Sequence, residues 1–325
     1  MQLASLRAST AGKALALCAV VAGIVMVPSA LAVHDEGLFE LDGDAVDAAA
    51  TGQDWDTVSK PPAIDSVFVT DPFDSATDNV YTGGGSKDDL DIPSWEWKDA
   101  QPSPDKDDLE HAYAAAYSKD GQLYLYFGAD RFAVNGSANV GFWFLQGGVA
   151  PVAGGTFSGT HQDGDVFVAS EFTNGGAIPH IVVYRWQSGA LVKVGENDPA
   201  TTGASCNAAD TVCAVVNSSD ESSPWNFVPK GSSADSDFPA GAFFEGGINL
   251  TSLFPTLPCI SSFIASTRTS FEPNSQLKDF AFGMIDVCSG IVVEKQTSPN
   301  GSAQSIGKTR FENDSAFVDS CQGIE

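Results

Sequence analysis

The sequence predicts an all-β protein, an antiparallel two-sheet sandwich of jelly-roll-like character. Three observations predict it. Short apolar runs recur from Ala63 to Met284, separated by clusters of Gly, Asn, Asp and Pro. No segment between them carries helical periodicity long enough for a crossover between parallel strands. Several runs are apolar on both faces, as the central strands of stacked sheets are. No period of roughly 20 to 50 residues repeats, which disfavours a propeller or solenoid.

In chain order, residues 1–32 read as a signal peptide. Arg7 and Lys13 give a basic start, Ala14 to Val27 is apolar, and Ala30-Leu31-Ala32 is a small-x-small cleavage pattern, placing the cut before Val33. The apolar stretch is short for a membrane span. Residues 33–62 are polar and acidic and read as a flexible lead-in, with one short helix expected near Ala45 to Ala50. The sandwich domain is expected over residues 63–290. Its strands are predicted at Ile64 to Val69, Ala112 to Tyr117, Leu123 to Ala129, Val140 to Leu145, Val166 to Ala169, Ile181 to Trp186, Ala242 to Leu250, Ser262 to Thr267 and Leu277 to Met284. Lys119-Asp120-Gly121 and Asn135-Gly136 are turn signals between them. Residues 291–325 hold one further strand, Ile291 to Lys295, then a polar tail; one strand cannot bury its own faces. The tail reads as a sandwich edge or as an incomplete second β domain.

The 325 residues carry 42 acids against 16 Lys and Arg, a net charge of −26. Removing residues 1–32 takes away two basic residues and no acid, leaving −28. Such a surface repels phosphate backbones and anionic lipid, so nucleic acid and an electrostatic membrane anchor are excluded as partners. No span is expected after signal cleavage, and the chain is expected outside the cell.

Cys18 leaves with the signal, and five cysteines remain. Cys206 and Cys213 bracket a short polar loop and form a local pair. Cys259 and Cys288 bracket two strand-like runs and would staple them. Cys321 is left unpaired. Zinc is the weaker reading, since no Cys-x-x-Cys occurs and no His lies nearby.

Catalytic motifs are missing. There is no Gly-x-Ser-x-Gly, no His-Glu-x-x-His and no phosphate-binding loop. Gly83 to Lys87 is followed at once by Asp88 and Asp89, which would repel an anion, so it reads as a turn. Glu171 and Glu245 each interrupt an apolar run and are the two carboxylates that a glycosidase reading would need; each also fits the polar side of an alternating strand. His111 reads as a packed, hydrogen-bonded residue.

Two patterns point to ligands. Residues 33–110 hold 21 of the 42 acids and four Lys or Arg. Within them, Asp105, Asp107 and Asp108 stand before the aromatic strands, where clustered loop carboxylates supply the hard oxygens that Ca²⁺ takes. The same run serves as a solvated acidic face, and Asp88-Asp89-Leu90-Asp91 and Asp163-Gly164-Asp165 are weaker versions of it. The second pattern is Trp95-x-Trp97, set among Pro93, Glu96, Lys98 and Asp99. On an extended segment the two indoles share a face and form a sugar-stacking platform, or else cover the sandwich edge.

The segments Gly83 to Asp91, Trp95-x-Trp97, Asp105 to Asp108, His111 to Tyr117, Tyr126 to Phe132, Gly141 to Phe144 and Gly241 to Gly247 together resemble a group of exported bacterial proteins. In that group an N-terminal β-sandwich module precedes prealbumin-like or collagen-adhesin B-type repeats. The resemblance covers about residues 63–290 and implies a cell-surface setting without naming an activity. More loosely, the strand order is similar to family-9-type carbohydrate-binding and DOMON-like sandwiches, which bind sugar or haem. Haem lacks support here: there is no Cys-x-x-Cys-His, and Met284 is the one methionine outside the expected signal that remains as a thioether ligand. The expectation is a non-catalytic secreted sandwich, calcium-stabilised, binding an extracellular glycan or another surface protein, with a carbohydrate-binding module as the alternative and a polysaccharide-acting enzyme as the third reading.

Overall fold

Alternation in the long strands decides the architecture. In the computed structural model, which describes residues 32–34, 37–48, 52–82, 84–99, 103–173, 178–199 and 203–288, the first half contributes β1 (Ala63–Thr70), β2 (Asn79–Tyr81), β3 (Trp97–Asp99), β4 (Leu109–Lys119), β5 (Gln122–Arg131), β6 (Ala138–Leu145), β7 (Ala150–Val152) and β8 (Thr156–Ser158). The second half adds β9 (Val166–Thr173), β10 (Ile178–Gln187), β11 (Ala190–Glu196), β12 (Ser205–Cys206), β13 (Val212–Val216), β14 (Phe243–Asn249), β15 (Ile260–Arg268) and β16 (Leu277–Val287), with a single helical turn α1 at Leu250–Leu253. A six-stranded sheet runs β1-β4-β5-β14-β13-β12, and an eight-stranded sheet runs β11-β10-β9-β6-β15-β16-β2-β3. All the strand pairs are antiparallel. The protein is an all-β two-sheet sandwich, as the sequence predicts.

The inner faces close the main core. Ala112, Ala114 and Ala116 of β4 and Leu125 and Phe127 of β5 meet Phe142 and Phe144 of β6, Val168 of β9 and Phe263 of β15, all fully buried. Small residues on β4 face β15 and β16, and Phe127 of β5 packs on Phe142 and Phe144 of β6, which lets the sheets interdigitate. Each buried Phe, Leu or Val stabilises by about 1.5–3 kcal/mol relative to exposure. The β4–β5 hairpin turns at Asp120 and Gly121, with φ of 50° and 78°, the paired left-handed conformation of a two-residue loop.

The outer faces are apolar too, and each is roofed. On the six-stranded sheet, Tyr113, Tyr117, Tyr126 and Phe243 point away from the main core. Residues 37–48 and 52–62 lie over them. Phe39 stacks on Tyr126 at 4.6 Å between centroids, and Trp55 packs on Phe39 and Tyr113 at 4.6 Å each. This corrects the expectation of a flexible lead-in: Phe39, Leu41, Ala45 and Trp55 are buried because the tyrosine face needs a cover. The described part of the expected helix near Ala45 is irregular. Val33 is also fully buried, its N–H donating to the Asp210 carbonyl (2.7 Å) and its carbonyl accepting from the Tyr126 hydroxyl (2.8 Å). Trp225, Phe227 and Phe238 complete this roof from the loop before β14.

On the eight-stranded sheet, Ile92, Trp95 and the β7–β8 hairpin cover Trp143, Phe167, Ile264 and Phe280. A buried ion pair crosses this layer. Arg268 meets Asp88 at 2.9 Å, and the Trp143 indole N–H donates to the same carboxylate at 2.7 Å. The guanidinium lies over Gly141, where a Cβ would overlap it. Asp88 is therefore committed to the core, and Asp91 caps the 3-10 turn Ile92–Ser94 by accepting from the Ile92 N–H.

Both expected disulfides form: Cys206–Cys213 ties β12 to β13, and Cys259–Cys288 joins the flanks of the β15–β16 hairpin. Cys321, the strand expected at Ile291 to Lys295 and the expected signal sequence up to Leu31 lie outside the described residues. Replacing both Cys259 and Cys288 by Ser should lower stability by ~3 kcal/mol, the loop-closure entropy of a chain this separated. Urea unfolding of the variant against the oxidised parent measures it.

Candidate metal centre

Three acids converge where the sandwich closes at the β2 end of the eight-stranded sheet. Asp71 follows β1, Asp78 precedes β2, and Asp279 lies in β16 opposite Val80 of β2. A carboxylate oxygen of each lies within 4.8 Å of the others, and all three side chains are buried, with exposures of 3%, 0% and 0%. Backbone amides orient them. Asp279 accepts from the Leu109 N–H (2.8 Å) and the Phe280 N–H (2.8 Å). Asp78 accepts from the Ser103 N–H at 3.0 Å. Asp108 stands beside the cluster and accepts from the Asp74 N–H at 2.9 Å.

What remains is a set of buried oxygens with nothing to bind. Oδ2 of Asp71, Oδ1 of Asp78 and Oδ1 of Asp108 have no hydrogen-bond partner. No Lys, Arg or His is paired with any of these carboxylates among the described residues. Two ionised carboxylates this close repel by about 3–4 kcal/mol at an effective dielectric of about 20, and each also loses its hydration. The acidities respond. Burial first, then Asp78 and Asp108, push Asp71 up to about 9. Burial, opposed by the Asp74 N–H, leaves Asp108 at about 7. Burial, then Asp71 and Asp78, hold Asp279 well above the carboxylate range.

Such a cluster is neutralised by protons or by a cation. The donors are all hard oxygens, without imidazole or thiolate, which suits Ca²⁺ or Mg²⁺ over transition metals. Asp71, Asp78 and Asp279 present such oxygens within 4.8 Å of one another, with Asp108 beside them.

The three residues predicted to hold calcium do not converge. Asp105 pairs with Lys230 at the surface. Asp107 is buried in a 3-10 turn, 3.9 Å from the Lys106 ammonium. Of the three, Asp108 alone borders the cluster. The helical turn Asp105–Asp107 splays consecutive side chains apart, so a sequence run does not become a ligand set.

The tryptophan platform fails for a similar reason. Trp95 has no exposed surface; it packs on Trp143 and donates its indole N–H to the Lys87 carbonyl at 2.8 Å. Trp97 is half-buried and borders a shallow cleft of about 190 Å³, together with Asp71, Asn79 and Phe280. The glycosidase pair does not assemble either. Glu245 is on the outer face of the six-stranded sheet, and Glu171 is on β9 of the other sheet, hydrogen-bonded to His180 at 3.1 Å. His111 is held by Asp130 at 3.0 Å, whose second oxygen accepts from the Trp225 indole at 3.1 Å. Asp163 and Asp165 flank a turn, with Asp165 bonded to His161.

Searches against protein-family models, curated proteins and solved structures return no match for this chain.

The raised acidities fix a sign. In the folded protein these carboxyls hold protons that the unfolded chain releases near its ordinary value of about 4. With chelator present, the stability these carboxyls contribute is therefore full below about pH 4 and is lost progressively as pH rises from there through the range of Asp108 and then Asp71, about 7 to 9. Saturating Ca²⁺ should invert the trend over the same window, because the cation competes with those protons. Thermal unfolding from pH 4 to 9, with and without Ca²⁺, measures both slopes.

Proposed function

We propose that this chain is a secreted, non-catalytic β-sandwich module with a binding or structural role at the bacterial cell surface, stabilised by calcium held at Asp71, Asp78 and Asp279. One observation carries the reading: three buried carboxylates meet with no cationic side chain to offset them, and Asp71 and Asp78 each keep an unpartnered oxygen. The ion locks the ends of β1 and β2 to β16, pinning one edge of the eight-stranded sheet. The resemblance to exported surface modules supplies the setting. Binding to the folded state alone stabilises by about 2.7 kcal/mol at a hundredfold excess over Kd. Added Ca²⁺ should therefore raise Tm clearly, chelator should reverse it, and Asp78→Asn should abolish the response. Equal behaviour of Ca²⁺ and Na⁺ at matched ionic strength would sink the reading.

A second reading, a carbohydrate-binding module, is favoured by the cleft at Trp97. An indole beside Asp71 and Asn79 offers a stacking face next to hydrogen-bonding groups. A glycan array run with Ca²⁺ should show a ligand whose binding falls at least tenfold in Trp97→Ala. Retention of binding in that variant removes the cleft as the site.

A further inference from the structure

We propose a second site for a hard divalent cation of the calcium class, formed by Asp42, Asp44 and Asp54 above Glu245, which clamps the N-terminal strap to the outer face of the six-stranded sheet. The strap comprises residues 37–48 and 52–58. It carries six acids and no Lys or Arg. A carboxylate oxygen of Asp42, Asp44 and Asp54 lies within 4.8 Å of the others. Asp42 is exposed and Asp44 half-buried, but Asp54 is fully buried, and its Oδ2 has no partner. Its Oδ1 accepts from the Trp55 N–H at 2.6 Å, so Oδ2 is the oxygen left to a proton or a cation.

Glu245 makes the arrangement more demanding. It projects from the middle of β14 under the strap, fully buried. Its Oε1 accepts from the Gly43 N–H at 2.8 Å, and its Oε2 accepts from the Trp55 indole at 2.9 Å. The groups acting on it are Asp54 and Asp42, both carboxylates. Three acids thus meet at one turn, with the charge of Glu245 below them, and the oxygens of the three match the hard-donor chemistry of Ca²⁺. A cation there joins the Asp42-Gly43-Asp44 turn to Asp54 and offsets the Glu245 charge in the sheet below. Without it, repulsion pushes the strap off the tyrosine face that it covers. The site shares no residue with Asp71, Asp78 and Asp279, so the two bind independently.

Equilibrium dialysis with radioactive calcium on the full chain tests this, with hydrogen exchange read over residues 37–48 and 52–58. The expected result is two ions per wild-type chain and one in Asp54→Asn. Calcium should slow strap exchange at least tenfold in wild type and in Asp78→Asn, and leave it unchanged in Asp54→Asn. Should Asp54→Asn fold poorly, Asp42→Asn, at an exposed position, should weaken the same ion at least tenfold. In chelator, Asp54→Asn should exchange no faster than wild type, since it replaces an unpartnered charge by an amide. Two ions bound by both Asp54→Asn and Asp42→Asn, or strap exchange in wild type that ignores calcium, overturns the proposal. Loss of no ion in Asp78→Asn overturns the first site and leaves this one standing.

Discussion

A sheet that is apolar on both faces must be covered on both. That constraint organises this molecule more than the sandwich itself does. The inner faces meet in one core, which accounts for Ala114, Phe127, Phe142 and Phe263. It does not account for Tyr113, Tyr126, Trp143 or Phe167, which point outward from the same strands. Water cannot be left on such faces without forfeiting the burial of several aromatic rings, the largest single apolar contributions available. The chain therefore spends its irregular segments as roofs, one from the N-terminal strap and the loop before β14, the other from Trp95 and the β7–β8 hairpin.

Roofs made of loop bring loop residues, and loops here are rich in Asp. Wherever a roof or a closing edge meets a sheet, carboxylates become buried, and the molecule treats them in two ways. Some are fully partnered: Asp88 by Arg268 and Trp143, Asp130 by His111 and Trp225, Asp165 by His161 and the Gln146 and Gln162 amides. Others gather with their own kind, as at Asp71, Asp78 and Asp279 and again at Asp54, and Asp71, Asp78 and Asp54 each keep an oxygen without a partner. The contrast within one chain separates structural carboxylates from ligand-seeking ones. Burial is the same in both groups; only the second lacks a side-chain donor of positive charge among the described residues.

The architecture was legible because period-two alternation and turn residues are local. The β4–β5 hairpin is readable from Ala112 to Ala129 with Asp120-Gly121 between. Short strands such as β2, β3, β7 and β12 escape, since two or three residues carry no period. β13 escapes despite Val212-Cys213-Ala214-Val215-Val216, because its bracketing cysteines draw attention to the loop. The site was less legible. Asp71 and Asp279 are separated by most of the domain, and strand pairing alone unites them. A signal existed in Asp279, an acid inside the apolar run Leu277 to Met284. The strap was misread for a related reason: its Phe39, Leu41 and Trp55 lack periodicity, since they follow the contour of a tyrosine surface and not a helix or strand.

The strap also sets a timetable. Gly43 and Trp55 find their acceptor in Glu245, and Val33 finds its own in Asp210, each across some 180 to 200 intervening residues. A polypeptide is made, and passes through any channel, from its amino end. The strap thus emerges ahead of β13 and β14, yet docks only after they have arrived to complete the surface beneath it. Contacts of this separation slow folding and prolong exposure of unpaired segments. Six acids and no base on the strap keep it hydrated and self-repelling through that wait. The same charges that burden the finished structure thereby act as the segment's own holding device while the rest of the chain catches up.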